Sequence, residues 1–105
     1  MKSITVSELA EWRERGVEHT LIDIREPYER EVSHLDGVHI PMGDLLSRRS
    51  EIPQSHPVVI HCRSGARSAA VTHALSAQYG FDNVHNLIGG IAAWANEIDS
   101  SLEVA

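Results

Sequence analysis

The reactive side chains of this chain concentrate in one stretch, "VVIHCRSGARSAAV", residues 58–71. It holds the only cysteine, Cys62, at the end of an apolar run. Arg63, Ser64, Gly65, Ala66, Arg67 and Ser68 follow, and then a helix-like run begins. A thiol becomes a strong nucleophile as the thiolate, and positive charge and backbone donors favour that form. The six amides from Arg63 to Ser68 must turn from a strand into a helix, and such a turn can aim its N–H groups inward as an anion-binding nest. The first amides of the helix lack intrahelical partners and sit at the positive end of its dipole. Gly65 allows a left-handed backbone in that turn. The expected chemistry is an activated Cys62 thiolate whose pKa is lowered by the loop amides and further by Arg63 and Arg67. The plainer alternative is that a lone cysteine at a strand end is a small buried hydrophobe. Core packing, however, gives no reason for two arginines within that turn.

The elements that must position this loop are legible around it. The chain has 105 residues, enough for one domain with its own core. Residues 3–6 read as a short strand, and Ser7 as the N-cap of a helix over 8–15 with Leu9 and Trp12 on one face and Gly16 as its stop. Residues 20–24 form a buried strand. A helical turn follows around Tyr28–Val32, and 37–41 make a second short strand. Residues 42–52 read as a short helix with Leu45 and Leu46 inward. Residues 58–62 are the third clear strand. The helix after the loop shows a small-residue face of Ala70, Ala74 and Ala77, with Val71 and Leu75 beside it, and ends at Gly80. Residues 83–87 are a core strand, 89–98 a last helix behind a double-glycine turn, and 99–105 a loosely ordered tail. Strands alternating with helices argue for an α/β domain with a mostly parallel sheet covered on both faces. Sites in such sheets gather beyond the carboxyl ends of the strands, where Cys62 lies.

Composition excludes several classes. One cysteine rules out an intramolecular disulfide framework and a multi-cysteine zinc site. The seven histidines show neither H-x-H nor H-E-x-x-H spacing, so no metal site and no cofactor are expected. Nine Lys plus Arg against fifteen Asp plus Glu give −6, which disfavours nucleic acid as a partner. Neither a secretory leader nor a membrane span is visible, and a free thiol suits a reducing compartment, so a cytoplasmic protein, a monomer by default, is expected. His61 neighbours Cys62, but adjacent strand residues point to opposite faces, so it should face away from the thiol.

Three stretches in order resemble a rhodanese domain, the sulfurtransferase module, over nearly the whole chain. "LIDIREPYEREVSHLDGVHIP" is similar to the family's first motif, through Asp23, Arg25, Glu29, His34, Gly37, Ile40 and Pro41. "VVIHCRSGARS" resembles the active-site strand and loop, and "NLIGGIAAW" the closing motif, with Gly89, Gly90 and Trp94. Ser33 stands where a glycine commonly precedes the motif histidine, and the stretch from Gly37 to Ile40 is one residue shorter than the usual form. The resemblance implies a three-layer rhodanese-like fold. From Cys62 to Arg67 is Cys-x4-Arg, a six-residue loop, whereas related cell-cycle phosphatases and arsenate reductases carry Cys-x5-Arg, whose arginine position is Ser68 here. A six-residue ring suits one terminal sulfur better than a phosphate ester. "CRSGAR" also resembles the basic loops of thiosulfate-type members.

The resemblance implies sulfur transfer through a Cys62 persulfide. The sulfur comes from thiosulfate or a similar small anion and goes to cyanide, a thiol or a partner protein. Arg63 and Arg67 would attract and orient the donor, and the loop amides would hold the persulfide. Asp23 and Arg25 belong near the site, where a structural ion pair competes with a direct role; Glu29 and His34 read as structural, and Trp94 as core. With no second cysteine, the sulfur must leave to an external acceptor. Two alternatives stay open: a cysteine phosphatase or arsenate reductase of the same fold, and a sulfur-carrier or docking module without turnover.

Overall fold

The computed structural model describes residues 1–105. Its elements in chain order are β1 (Lys2–Ile4), α1 (Val6–Arg15), β2 (Thr20–Asp23), α2 (Pro27–Val32), β3 (Val38–His39), α3 (Met42–Leu45), a 3-10 turn at Arg49–Glu51, β4 (Val58–His61), α4 (Ala66–Tyr79), β5 (Val84–Leu87) and α5 (Gly90–Glu97). The five strands form one sheet in the order β1-β5-β4-β2-β3, and every pairing is parallel. β4 is therefore central, and all four of its residues are buried.

Two apolar clusters flank the sheet. Ile22, Ile24, Val58, Ile60 and Cys62 pack on one face with Leu45 of α3 and Val71 and Leu75 of α4. Leu21, Val59 and Leu87 pack on the other with Val6 and Leu9 of α1 and Ile91 and Trp94 of α5. The alternation along β4 follows from the two-residue period of a strand, and it puts Cys62 on the α4 side.

Several local expectations are corrected. The cap of α1 is Thr5, not Ser7. Thr5 Oγ1 accepts from the Glu8 amide at 3.1 Å, while the Glu8 carboxylate accepts from the Thr5 amide at 3.1 Å. This reciprocal box places Ser7 inside the first turn. The helix expected over 42–52 is only one turn of α3 followed by the 3-10 turn. Leu45 is fully buried, but Leu46 lies about 100° further round and is 36% exposed. The inward face of α4 is Ser68, Val71, Thr72 and Leu75, whereas Ala70 and Ala77 are exposed. That stripe has i, i+3, i+4, i+7 spacing, and its two hydroxyl residues hide it from a reading based on apolar residues. The segment 99–105, expected to be loosely held, lies against the body of the protein: Leu102 and Val104 pack on the α1–α5 cluster, and Ser33 donates its hydroxyl to the Glu103 carbonyl.

Of the departures in the first motif, the serine at position 33 is accommodated locally. Ser33 ends α2 at φ −166°, extended backbone open to any residue. Gly37 is required by space: a Cβ there would lie 2.6 Å from the Leu21 carbonyl oxygen.

Candidate active site

The loop after β4 is shaped from two sides. Gly65 adopts φ +97° and starts α4, so the left-handed turn expected there is present. From the other side comes α5. The Ile91 amide donates to the Cys62 carbonyl at 3.0 Å, and the Ala92 amide to the Arg63 carbonyl at 2.9 Å. A peptide unit is trans, so a carbonyl held outward turns the next N–H the opposite way. With the Arg63 carbonyl fixed on α5, the Ser64 amide faces the sulfur and is one of the donors acting on it. Gly90 makes the approach possible: it sits at φ +59°, and a Cβ there would lie 2.5 Å from the Cys62 oxygen and 2.6 Å from the Arg63 oxygen. The double-glycine turn thus grips the loop, beyond letting the last helix pack.

Cys62 is 1% exposed. Its Sγ accepts from the Gly65 amide at 3.2 Å and the Ser68 amide at 3.4 Å, and lies 3.3 Å from Ser68 Oγ. Burial pushes the thiol up, but the Ser68 hydroxyl and the amides of Ser68, Gly65 and Ser64 outweigh it and hold the thiol below its ordinary value. These are hydrogen bonds to the charged form, the strong kind.

The arginines are placed otherwise than their sequence positions suggested. The Arg67 guanidinium makes a bidentate pair with Glu29, at 2.8 and 2.9 Å. Glu29 is buried, and the Arg67 pair pulls its carboxyl below the usual range. Arg63 is exposed, and its Nε donates to the Ala105 carbonyl at 2.6 Å. Neither guanidinium hydrogen-bonds to the sulfur.

Asp23 and Arg25 stand behind the loop, not at the thiol. Arg25 is fully buried and grips Asp23 through Nε at 3.0 Å and a terminal nitrogen at 2.9 Å. It also donates to the carbonyls of Ser33 at 2.8 Å and Glu29 at 3.5 Å. Arg25 therefore fixes the backbone of α2, α2 presents Glu29, and Glu29 anchors Arg67. Burial raises the Asp23 carboxyl, yet its bonds to Arg25 bring it below the ordinary value. His61 shares the Val59 side of β4, opposite Cys62, as parity required. Burial pushes its imidazole down to about 4.

Sequence reasoning missed one neighbour of the thiol. Ser68 Oγ donates to Asn86 Oδ1 at 2.5 Å, which joins β5 to the sulfur. The signal was present as a polar residue in the core strand "VHNL", at an inward position.

The α/β architecture and this loop define a class, and comparison with known proteins bears it out. Residues 5–97 match the family model of the rhodanese-like domain, and the chain belongs to that family. It is 47% identical over 76 residues to a sulfurtransferase of Allochromatium vinosum, covering 71% of this chain and 70% of that one. It is 33% identical over 103 residues to the probable adenylyltransferase/sulfurtransferase MoeZ of Mycobacterium tuberculosis, covering 95% of this chain but only 26% of that protein, so it spans about a quarter of that relative. A rhodanese-like domain protein of Staphylococcus aureus superposes with a TM-score of 0.83 at 30% identity, covering 100% of this chain and 99% of that one.

Proposed function

We propose that the protein is a sulfurtransferase that carries sulfane sulfur on Cys62, from thiosulfate or a related small anion to a thiol, a partner protein or, in the test tube, cyanide. The observation that carries this reading is the Cys62 sulfur, ringed by the Gly65 and Ser68 amides and the Ser68 hydroxyl inside a six-residue loop. In the first step the thiolate attacks the outer sulfur of the donor. A Cys62–sulfur bond forms, the sulfur–sulfur bond of thiosulfate breaks, and sulfite leaves with its electron pair. In the second step an acceptor nucleophile attacks the outer sulfur of the persulfide, and Cys62 leaves as thiolate. The protein ends in the state in which it began, with no net oxidation. The loop residues Arg63 to Ser68 hold the persulfide anion, and exposed Arg63 supplies the positive charge that draws the donor. Asp23 and Arg25 act only through the backbone they fix. The free thiol and the need for an external acceptor support a cytoplasmic setting, in which the chain is proposed to act as a monomer.

Incubation with thiosulfate followed by intact mass measurement tests the first step: one added sulfur is expected, absent in Cys62→Ser. Steady-state thiocyanate formation with cyanide tests turnover. Loading once and stopping would make the protein a carrier. Turnover of a phosphate ester or arsenate without sulfur loading would overturn the proposal.

A further inference from the structure

We propose that Asn86 is a positioning residue that directs the single hydroxyl proton of Ser68, and through it the hydrogen bonding of the Cys62 sulfur. The register of the sheet puts it there. Asn86 pairs with Ile60 across β5 and β4, and Ile60 is two residues before Cys62, so all three share one face. Asn86 is 6% exposed and Ser68 fully buried, so both polar groups must find partners inside the protein.

Proton bookkeeping gives the pair its function. Ser68 has one proton and two claimants: Asn86 Oδ1 at 2.5 Å and Cys62 Sγ at 3.3 Å. With Cys62 as a thiol, the S–H can donate to Ser68 Oγ while the serine proton stays on Asn86. When Cys62 ionises, the sulfur has nothing to donate and needs donors. The serine proton then swings to Sγ. Two oxygens would be left facing each other at 2.5 Å, unless the amide turns to offer its N–H to Ser68 Oγ. That turn breaks no bond to the protein, because Oδ1 is the only side-chain atom of Asn86 with a protein partner. The proton returns to Asn86 once the cysteine sulfur is capped by a second sulfur and its charge moves outward. Asn86 therefore serves both halves of the proposed sulfur cycle, since it supplies a donor when Cys62 attacks or leaves as thiolate. This role rests on the sulfurtransferase reading only for the cycle; the proton switch concerns the thiol alone.

The test is the rate of Cys62 alkylation by iodoacetamide against pH, in the full chain, which needs no sulfur donor. Asn86→Asp can only accept from Ser68, so it should keep the proton and raise the inflection by about one pH unit, a tenfold slower alkylation below it. In a Ser68→Ala background the same substitution should change the rate threefold or less. An equal shift in both backgrounds would show simple charge repulsion and overturn the proposal. Should Asn86→Asp fail to give a cooperative thermal transition, Asn86→Leu replaces it in the same four-protein cycle. It should move the inflection by half a unit or more with Ser68 present and not without it; absence of that coupling overturns the role. Failure of thiosulfate to load the wild-type protein would sink the sulfur reading and leave this cycle to be judged on alkylation alone.

Discussion

Glu29→Gln separates charge from shape at the pair that anchors the loop. Glutamine keeps the size of the side chain and the oxygen that accepts from the Glu26 amide at 3.1 Å, so the start of α2 keeps its cap. What it loses is the charge opposite Arg67. Removing one partner of a buried ion pair costs about 3–5 kcal/mol, and of an exposed pair about 0–1. Here the Glu29 side chain is 6% exposed and that of Arg67 37%, so the pair lies between the limits. The glutamine oxygen still accepts one hydrogen bond from the charged guanidinium, which brings the expected loss to about 1–2 kcal/mol at pH 7. With a urea dependence of about 2 kcal/mol per molar, the unfolding midpoint should fall by roughly 0.5–1 M. Fluorescence of Trp94, which is buried, reports the transition. The pH dependence decides the cause. The Glu29 carboxyl is held down by Arg67 in the fold, so its contribution is present above its unfolded pKa and is lost as pH falls through the lower folded one. The wild-type advantage should therefore be full at pH 7 and vanish well below pH 4. A loss of the same size at both ends would mean that packing, not charge, is at work. No loss at pH 7 would refute the anchoring role of the pair.

Two glycines offer a paired control. Gly90→Ala and Gly37→Ala both force a Cβ within about 2.6 Å of a carbonyl oxygen, so both should lower the melting temperature; only Gly90→Ala displaces the carbonyls of Cys62 and Arg63, so only it should slow Cys62 alkylation at pH 7, and a similar slowing in Gly37→Ala would contradict the clamp. His61 should stay neutral from pH 8 to pH 5, with its imidazole NMR signals unmoved, because burial lowers its pKa to about 4. As the unfolded chain takes up that proton near pH 6.5, stability should decline between pH 6.5 and 4, by about 3 kcal/mol at 1.36 kcal/mol per unit; titration of the imidazole signals near 6.5 would show that it is not buried as described.

What was readable in the sequence was local. Cys62, Gly65, the helix after them and the opposite facing of His61 depend on residues within a few positions of one another, where strand parity and turn chemistry apply. Arg67 could be read as a free cation because its partner Glu29 is 38 residues away on another element, and only the packing of α2 against the loop brings them together. Asn86 is 18 residues from Ser68, and its inward aim depends on the register of β5 on β4. The buried face of α4 was hidden for a different reason. Ser68 and Thr72 occupy core positions, the first with its hydroxyl beside the thiol and the second with its hydroxyl buried without a hydrogen-bond partner, so hydrophobicity pointed to the wrong stripe. The arginines were assigned to the thiolate because they adjoin it in sequence; Arg67 still attracts the Cys62 thiolate through its charge, but its hydrogen bonds go to Glu29, since adjacency along a turn does not say where a long side chain ends.

The balance of charge bears on which anion the loop suits. Glu29 already neutralises Arg67, so the donors reaching Cys62 are amides and a hydroxyl, and Arg63 is left as the loop's cation outside that pair. Such a cradle matches one negative charge held by directional bonds. Loading sulfur keeps that count constant, because a thiolate becomes a persulfide anion and the incoming dianion departs as sulfite. A phosphoryl intermediate would instead add a dianionic group to the cysteine inside a buried loop whose second arginine is already paired. Desolvating that extra charge with Arg63 as the loop's one guanidinium outside an ion pair is costly. The Glu29–Arg67 pair thus gives the proposed sulfur chemistry a support separate from the number of residues in the loop. Glu29→Gln also tests this, since freeing Arg67 should strengthen protection of Cys62 from alkylation by phosphate or arsenate more than protection by thiosulfate. Equal gains for all three anions would mean that charge at Arg67 does not discriminate among them.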